Sequence, residues 1–227
     1  MHLLPNDTTP PHPLSRLDDQ ALIQAVEALT AIDPDLARSH ARHGPPPLWA
    51  RPPGFATLVH IILEQQVSLA SARAAYARLE RTIPGILPED LLRLDDETMK
   101  AIGFSRQKTA YMRGLAQALL GGDLDLERLA GLEDAAVRAE LTRIRGIGAW
   151  TADIYLLEVL LRPDIWPGGD LALVTALQRV KGLPERPGAA QVEQIGAAWR
   201  PWRAVAARML WHDYLQTLNP AGWGPIG

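Results

Sequence analysis

An all-α fold is predicted from three observations on the 227-residue chain. Apolar residues recur three to four positions apart along most of it. No segment sustains the strict alternation of apolar and polar residues that a half-buried strand requires. Aspartate, serine, glycine and proline fall where helices would start and stop, which together predicts about ten short helices.

Residues 1–17, with four prolines and two threonines, read as a flexible N-terminal arm. Asp18 is placed to cap a first helix in which Leu22, Val26 and Leu29 share a face. A second helix is expected from Asp33 to about Arg42. The run GPPPLWARPPG, residues 44–54, then interrupts helix formation, because proline removes a backbone donor and biases its predecessor to extended geometry. Beyond it, FATLVHIILEQQVSLASARAAYARLERTI is helical in spacing, with a break between Gln65 and Ser68 where the serine can cap a new helix. PEDLLRL, DDETMKAI, RQKTAYMRGLAQALL and EDAAVRAELTRI supply further helices, with Gly103, Gly121 and Gly122 as stops.

A chain of this length can bury a sizeable core as one large domain or two lobes. Its 47% hydrophobic and 22% charged content is that of a globular protein. The lack of cysteine excludes disulfides, thiolate metal sites, iron-sulfur clusters and a cysteine nucleophile. His40 and His43 have no clustered partner and read as a solvated helix face. There is no apolar run of about 18 residues and no signal-like start, so no membrane partner is expected. The location expected is cytoplasmic, with nucleoid association in a bacterium. A net charge of -3 does not advertise a nucleic-acid binder, so any such case rests on local charge.

Two local features carry chemistry. In LTRIRGIGAW, Gly146 and Gly148 separate two helices, and two glycines so spaced permit a tight hairpin in positive-φ conformations with uncovered amides. Those amides open the next helix, where unpaired N–H groups and the helix dipole favour an anion such as a DNA phosphate. A plain structural turn is the alternative. Arg106, Lys108 and Arg113 lie in AIGFSRQKTAYMR without an acid, and Arg143 and Arg145 bracket the hairpin, so the basic residues are locally concentrated.

The second feature is Asp170, in GGD before the apolar-periodic LALVTALQRV. The helix from Ala149 to about Leu160 spans roughly 18 Å. The connector of residues 161–169 reaches up to about 30 Å, so Asp170 can return beside Trp150. Its position makes it a helix N-cap, whose amides favour a negative charge. A fixed carboxylate also suits a reaction that builds positive charge on a sugar. Taken alone, the residue is better explained as a cap.

The hairpin LTRIRGIGAWTADIYLLEVL with Asp170 twenty residues after Trp150 resembles the helix-hairpin-helix superfamily of DNA glycosylases, and within it the alkylbase branch typified by 3-methyladenine DNA glycosylase II. The likeness extends to PPGFATLVHIILEQQVS and WRPWRAVAARMLW and covers about residues 18–215. It implies two helical lobes with an interlobe active-site cleft: residues 18–66 plus 161–227 as the first lobe, and 67–160, carrying the helix-hairpin-helix, as the second. It also implies a monomer that flips alkylated purines such as 3-methyladenine out of damaged double-stranded DNA. Hydrolysis of the N-glycosidic bond then needs no organic cofactor or catalytic metal.

By the same resemblance Asp170 is the catalytic carboxylate, and Trp150 and Trp211 line the base pocket. Ile154 stands where close relatives have an aromatic residue, with Tyr155 beside it, which implies a wider or less selective pocket. Gln66 is the candidate to enter the gap left by the flipped base, against the alternative of a polar residue exposed at a helix break. Arg145, Gly146, Gly148, Thr151 and Lys108 are the other candidates for DNA contact. The carbonyls of Thr142, Ile144 and Ile147 are the candidate holders of a structural monovalent cation. Strand-cutting members carry lysine where this chain has Trp150, so a monofunctional hydrolase is implied. Two alternatives stay open: a glycosylase for deaminated or oxidised bases, and a non-catalytic helix-hairpin-helix DNA-binding module.

Overall fold

The computed structural model describes residues 16–218, so all of the N-terminal arm but Arg16 and Leu17 lies outside the described residues. The helices are α1 (Asp19–Ile32), α2 (Pro34–His43), α3 (Phe55–Glu64), α4 (Leu69–Thr82), α5 (Pro88–Arg93), α6 (Asp96–Ile102) and α7 (Arg106–Leu120). They are followed by α8 (Leu126–Leu129), α9 (Asp134–Thr142), α10 (Ala149–Ile154), α11 (Leu171–Val180), α12 (Ala189–Ala197) and α13 (Arg203–Leu218). The turn after α10, Tyr155–Val159, is π-helical. The described residues are therefore all-α, with α8, α12 and α13 added to the helices read from periodicity. None of these helices is long and apolar enough to cross a membrane.

Caps set most of the boundaries. Asp18 accepts from the Ala21 amide at 2.8 Å and Asp33 from the amides of Asp35 and Leu36 at 3.0 and 3.3 Å, which starts α1 and α2 where the sequence predicts. Ser68 accepts from the Ser71 amide at 3.2 Å and opens α4 after the expected break. Gly103 ends α6 in the left-handed region at φ 102. Residues 44–54 form no helix, as the prolines require.

Two compact units result among the described residues: those up to residue 48 with those from residue 162 on, and residues 49–161. The sequence division ran the first lobe to residue 66, whereas α3 groups with the second unit. The cause is that α3 is apolar on every side and buries nine of its ten residues, Phe55 and Thr57–Glu64, against α4, α7 and α10.

In the first unit α13 packs on α11, α2 and α1. Its core includes Leu29, Leu36, Leu173, Leu177, Trp199 and Leu210, each at most 1% exposed. Asp33 is buried with them: its Oδ2 accepts from Trp199 Nε1 at 2.8 Å and from Lys181 Nζ at 2.6 Å. Burial works against the charge, but the hydrogen bonds from Lys181 and Trp199 outweigh it and hold the Asp33 carboxyl below its ordinary value. Asp164 clamps the start of α13 through Arg203 at 2.7 and 2.9 Å. His43 does not sit on a solvated face: its side chain is 15% exposed and lies 3.3 Å from Asp213, because the end of α2 packs on α13.

The second unit carries a buried charge network. Arg51 reaches from the proline-rich segment to both oxygens of Glu64 at 3.0 and 3.2 Å and to Glu158 at 2.6 Å. The Arg51 amide also donates to the Glu158 carbonyl at 2.8 Å, which ties the π-helical turn down. His60 stacks on Tyr76 at 4.3 Å. Burial, with Arg51 and Arg73 nearby, pushes the His60 pKa down to about 4, so the ring is neutral at ordinary pH.

Candidate active site

The hairpin of residues 143–148 joins α9 to α10. It closes through the Ile144 amide to the Leu141 carbonyl at 3.1 Å and the Ile147 amide to the Ile144 carbonyl at 3.0 Å. Gly146 lies at φ 96, and a Cβ there would stand 2.2 Å from Cγ of Tyr111, so conformation and space both demand glycine. Gly148 differs. It sits at φ -92 as the N-cap of α10, and an added Cβ would meet nothing within 4 Å. The expectation of positive φ at both glycines is corrected to Gly146 alone. What Gly148 supplies is an N-terminus with no side-chain cap and open space in front of it.

The basic residues around the hairpin are fewer than their spacing suggests. Arg113 pairs with Asp96 at 2.7 Å and Arg143 with Glu140 at 2.9 Å. Lys108 turns inward and donates to the Leu63 and Gln65 carbonyls at 2.7 and 3.2 Å. Arg106 and Arg145 stay exposed and form no ion pair among the described residues. The acid that pairs with Arg113 is distant in sequence and was invisible to a reading by spacing, whereas the partner of Arg143 lies within one helical turn.

Thr151 is 1% exposed, and its Oγ1 accepts from Gln65 Nε2 at 2.8 Å. Gln65 Nε2 also donates to the Gly146 carbonyl at 2.9 Å, so this residue, which the sequence did not single out, braces the hairpin. The hydroxyl of Thr151 is engaged inside the unit rather than offered to a phosphate. Gln66, its neighbour, is exposed and left-handed at φ 57.

Of the pocket candidates in this unit, Trp150 is half-buried. Ile154 and Tyr155 are 3% and 0% exposed, and burial pushes the Tyr155 hydroxyl up to about 12. Both are core residues of the unit, where the π-helical turn that begins at Tyr155 is tied through Arg51 to Glu64 of α3. The hairpin carbonyls of Thr142 and Ile147 accept no hydrogen bond from the described residues, and Ile144 accepts one. Neutral oxygens of this kind suit a hard cation, not a transition metal. No cluster of three or more His, Asp or Glu among the described residues could hold a metal.

In the other unit Asp170 caps α11, with Oδ1 accepting from the Leu173 amide at 2.7 Å. The same oxygen accepts from Trp211 Nε1 at 3.1 Å, bringing together two residues 41 apart. The backbone is set by the Asp170 amide on the Pro167 carbonyl at 2.9 Å. Asp170 is half-buried and Trp211 is 9% exposed. The bond between them follows from α11 packing on α13, which no local pattern encodes.

Residues 59–202 match the HhH-GPD superfamily base excision DNA repair protein family. The DNA-3-methyladenine glycosylase 1 of Schizosaccharomyces pombe is 28% identical over 175 residues, covering 73% of this chain and 77% of that protein. The DNA-3-methyladenine glycosylase 2 of Escherichia coli is 28% identical over 182 residues, covering 75% of this chain but 59% of its own length. The solved structure of the S. pombe 3-methyladenine DNA glycosylase with abasic DNA superimposes with a TM-score of 0.75 at 25% identity, over 88% of this chain and 99% of that one. The family match runs from within α3 to the residue before α13, including both the hairpin and Asp170, and the chain belongs to the HhH-GPD superfamily of base excision DNA repair proteins.

Proposed function

We propose that this protein is a monofunctional DNA glycosylase that excises alkylated purines such as 3-methyladenine from duplex DNA. The observation that carries the reading is the geometry of Asp170: one carboxylate oxygen is fixed at a helix start by the Leu173 amide and the Trp211 indole. Such an oxygen needs no reorganisation to stabilise the oxocarbenium-like sugar formed as the N-glycosidic bond breaks. Glycoside hydrolysis ordinarily uses a second carboxyl group to protonate the leaving group. An alkylated purine already carries positive charge and leaves without a strong acid. Asp170 also suits the orientation of the attacking water.

Before this step the base leaves the stack, at about a few kcal/mol, less for a damaged pair. A flipped cationic base is favoured against an indole such as that of Trp211, where a desolvated cation-π contact is worth about 2 kcal/mol. Gly148 and the α10 amides bind a backbone phosphate and Gln66 fills the gap in the duplex. The hairpin carbonyls of Thr142, Ile144 and Ile147 hold a structural monovalent cation. Trp150 stands where the strand-cutting members carry lysine, so no Schiff base forms and the product is an intact strand with an abasic site. The protein works as a monomer on DNA in the cytoplasm, at the nucleoid of a bacterial cell.

The test is release of free base from methylated duplex, with uracil and 8-oxoguanine duplexes as competing substrates. Release of methylated purines alone is the expected result. Binding without release from any duplex would leave a DNA-binding module, and release of a neutral base would move the substrate class.

A further inference from the structure

We infer that Lys108 is a positioning residue, not a phosphate contact: it holds the Gln65–Gln66 turn in the conformation that presents Gln66 to DNA. The DNA half of this inference rests on the glycosylase reading above. The turn itself is argued from geometry alone.

Gln66 occupies the left-handed region at φ 57, which is disfavoured for a residue with a Cβ. It is exposed, so no burial of its own side chain compensates. Something adjoining must hold it, since such conformations persist only where their surroundings over-determine them. Lys108 Nζ lies 2.7 Å from the Leu63 carbonyl and 3.2 Å from the Gln65 carbonyl. The second carbonyl belongs to the peptide unit that joins Gln65 to Gln66. A charged donor there restricts rotation of that unit and therefore φ of Gln66.

The placement of Lys108 supports this. It sits in the first turn of α7, with no acidic residue there, at the end of the helix dipole that disfavours a cation. The carbonyls it meets are at the C-terminal end of α3, where a cation is favoured and orphan acceptors need a donor. The half-buried ammonium is pushed below its ordinary pKa by burial, so the position is not a default one for a lysine. Gln65 carries the constraint further, because its side chain holds the Gly146 carbonyl and Thr151 at 2.9 and 2.8 Å. One ammonium thus fixes the backbone from which both Gln66 and the brace on the hairpin project.

Two double-mutant cycles test the inference. The first reads melting temperature for Lys108→Met, Gln66→Gly and the double variant, without DNA. Glycine adopts the left-handed region freely, so Lys108→Met is expected to lower Tm clearly with Gln66 present and at most half as much with Gly at 66. Equal lowering in both backgrounds overturns the turn-holding role. The second cycle reads single-turnover release of methylated purine for Lys108→Met, Gln66→Ala and the double. Lys108→Met is expected to slow release about ten- to a hundredfold alone, as a small misplacement does, and less than about twofold when Gln66 is already Ala. A loss of equal size in both backgrounds marks Lys108 as a phosphate contact and overturns the proposal, as does a wild-type rate for Gln66→Ala. If Lys108→Met does not fold, Lys108→Gln enters the same cycles. Should the wild-type protein release no base, the glycosylase reading falls while the melting cycle still decides the role of Lys108.

Discussion

Two aspartates of the first unit are built to the same local plan in different surroundings. Asp33 caps α2 and accepts from the indole of Trp199; Asp170 caps α11 and accepts from the indole of Trp211. Asp33 is 7% exposed and is bonded to Lys181, whose ammonium lies over the Trp199 ring at 5.5 Å from its centroid. Asp170 is half-buried and follows two glycines, Gly168 and Gly169, instead of an isoleucine. A capped, indole-bonded carboxylate is therefore not in itself a catalytic sign. What distinguishes the two is their surroundings: Asp33 is closed off beside a partner cation inside the fold, whereas Asp170 is half-buried.

The contrast predicts opposite responses to substitution. Asp33→Ala strips a cap and leaves Lys181 without its closest partner, so stability should fall by about 3–5 kcal/mol in denaturant titration. Activity per folded molecule should hold. A folded-state loss below about 1 kcal/mol would show that the buried network is not what separates the two sites.

Acid unfolding separates Asp33 from the other buried titrating group. The His60 pKa lies at about 4 in the fold against 6.5 when unfolded, so protons bind the unfolded chain preferentially between those values. Stability should decline by about 3 kcal/mol as pH falls through that window, and His60→Phe should flatten the decline. Asp33, whose folded pKa is lowered from 3.8, contributes stability above that value that is lost as pH falls through the lowered pKa. Asp33→Asn should lower the curve at neutral pH and change its shape only in this lowest arm.

The two tryptophans give the smallest and most selective effects. Trp199→Phe removes an indole N–H from a site that is 1% exposed and should cost about 2 kcal/mol of stability with no change in base release. Trp211→Phe keeps a ring but removes the donor to Asp170, and should slow base release roughly tenfold, as the loss of one hydrogen bond to a charged group does. Similar stability losses with no catalytic difference would erase the distinction.

Much of this was legible in the chain. Asp18, Asp33, Ser68 and Asp170 start helices where a polar acceptor precedes an apolar period, and Gly103 stops one, because caps are local. The π-helical turn at Tyr155–Val159 was not legible, since IYLLEV is as apolar as the helix before it and the wider turn depends on Arg51, about a hundred residues upstream. The helix α8 is a single turn, too short to show a period, and α12 and α13 carry weaker periodicity than α3, so α3 was read while these were not. At the site, the resemblance named Trp211 and Asp170 but not the bond between them, and local charge density assigned Lys108 to DNA when α3 lay within its reach. Gln65 left a trace only as the first of two glutamines at a helix break.

The most direct measurement compares Asp170→Asn with the unaltered protein in two assays, single-turnover release of 3-methyladenine and affinity for duplex bearing an abasic-site analogue. Asparagine is as good a cap as aspartate, so α11 should stay formed. Release should fall by about a hundred- to a thousandfold while affinity changes by less than about threefold. Release at the unaltered rate, or a loss of affinity that matches the loss of rate, would contradict the assignment of Asp170 as the carboxylate that performs the chemistry.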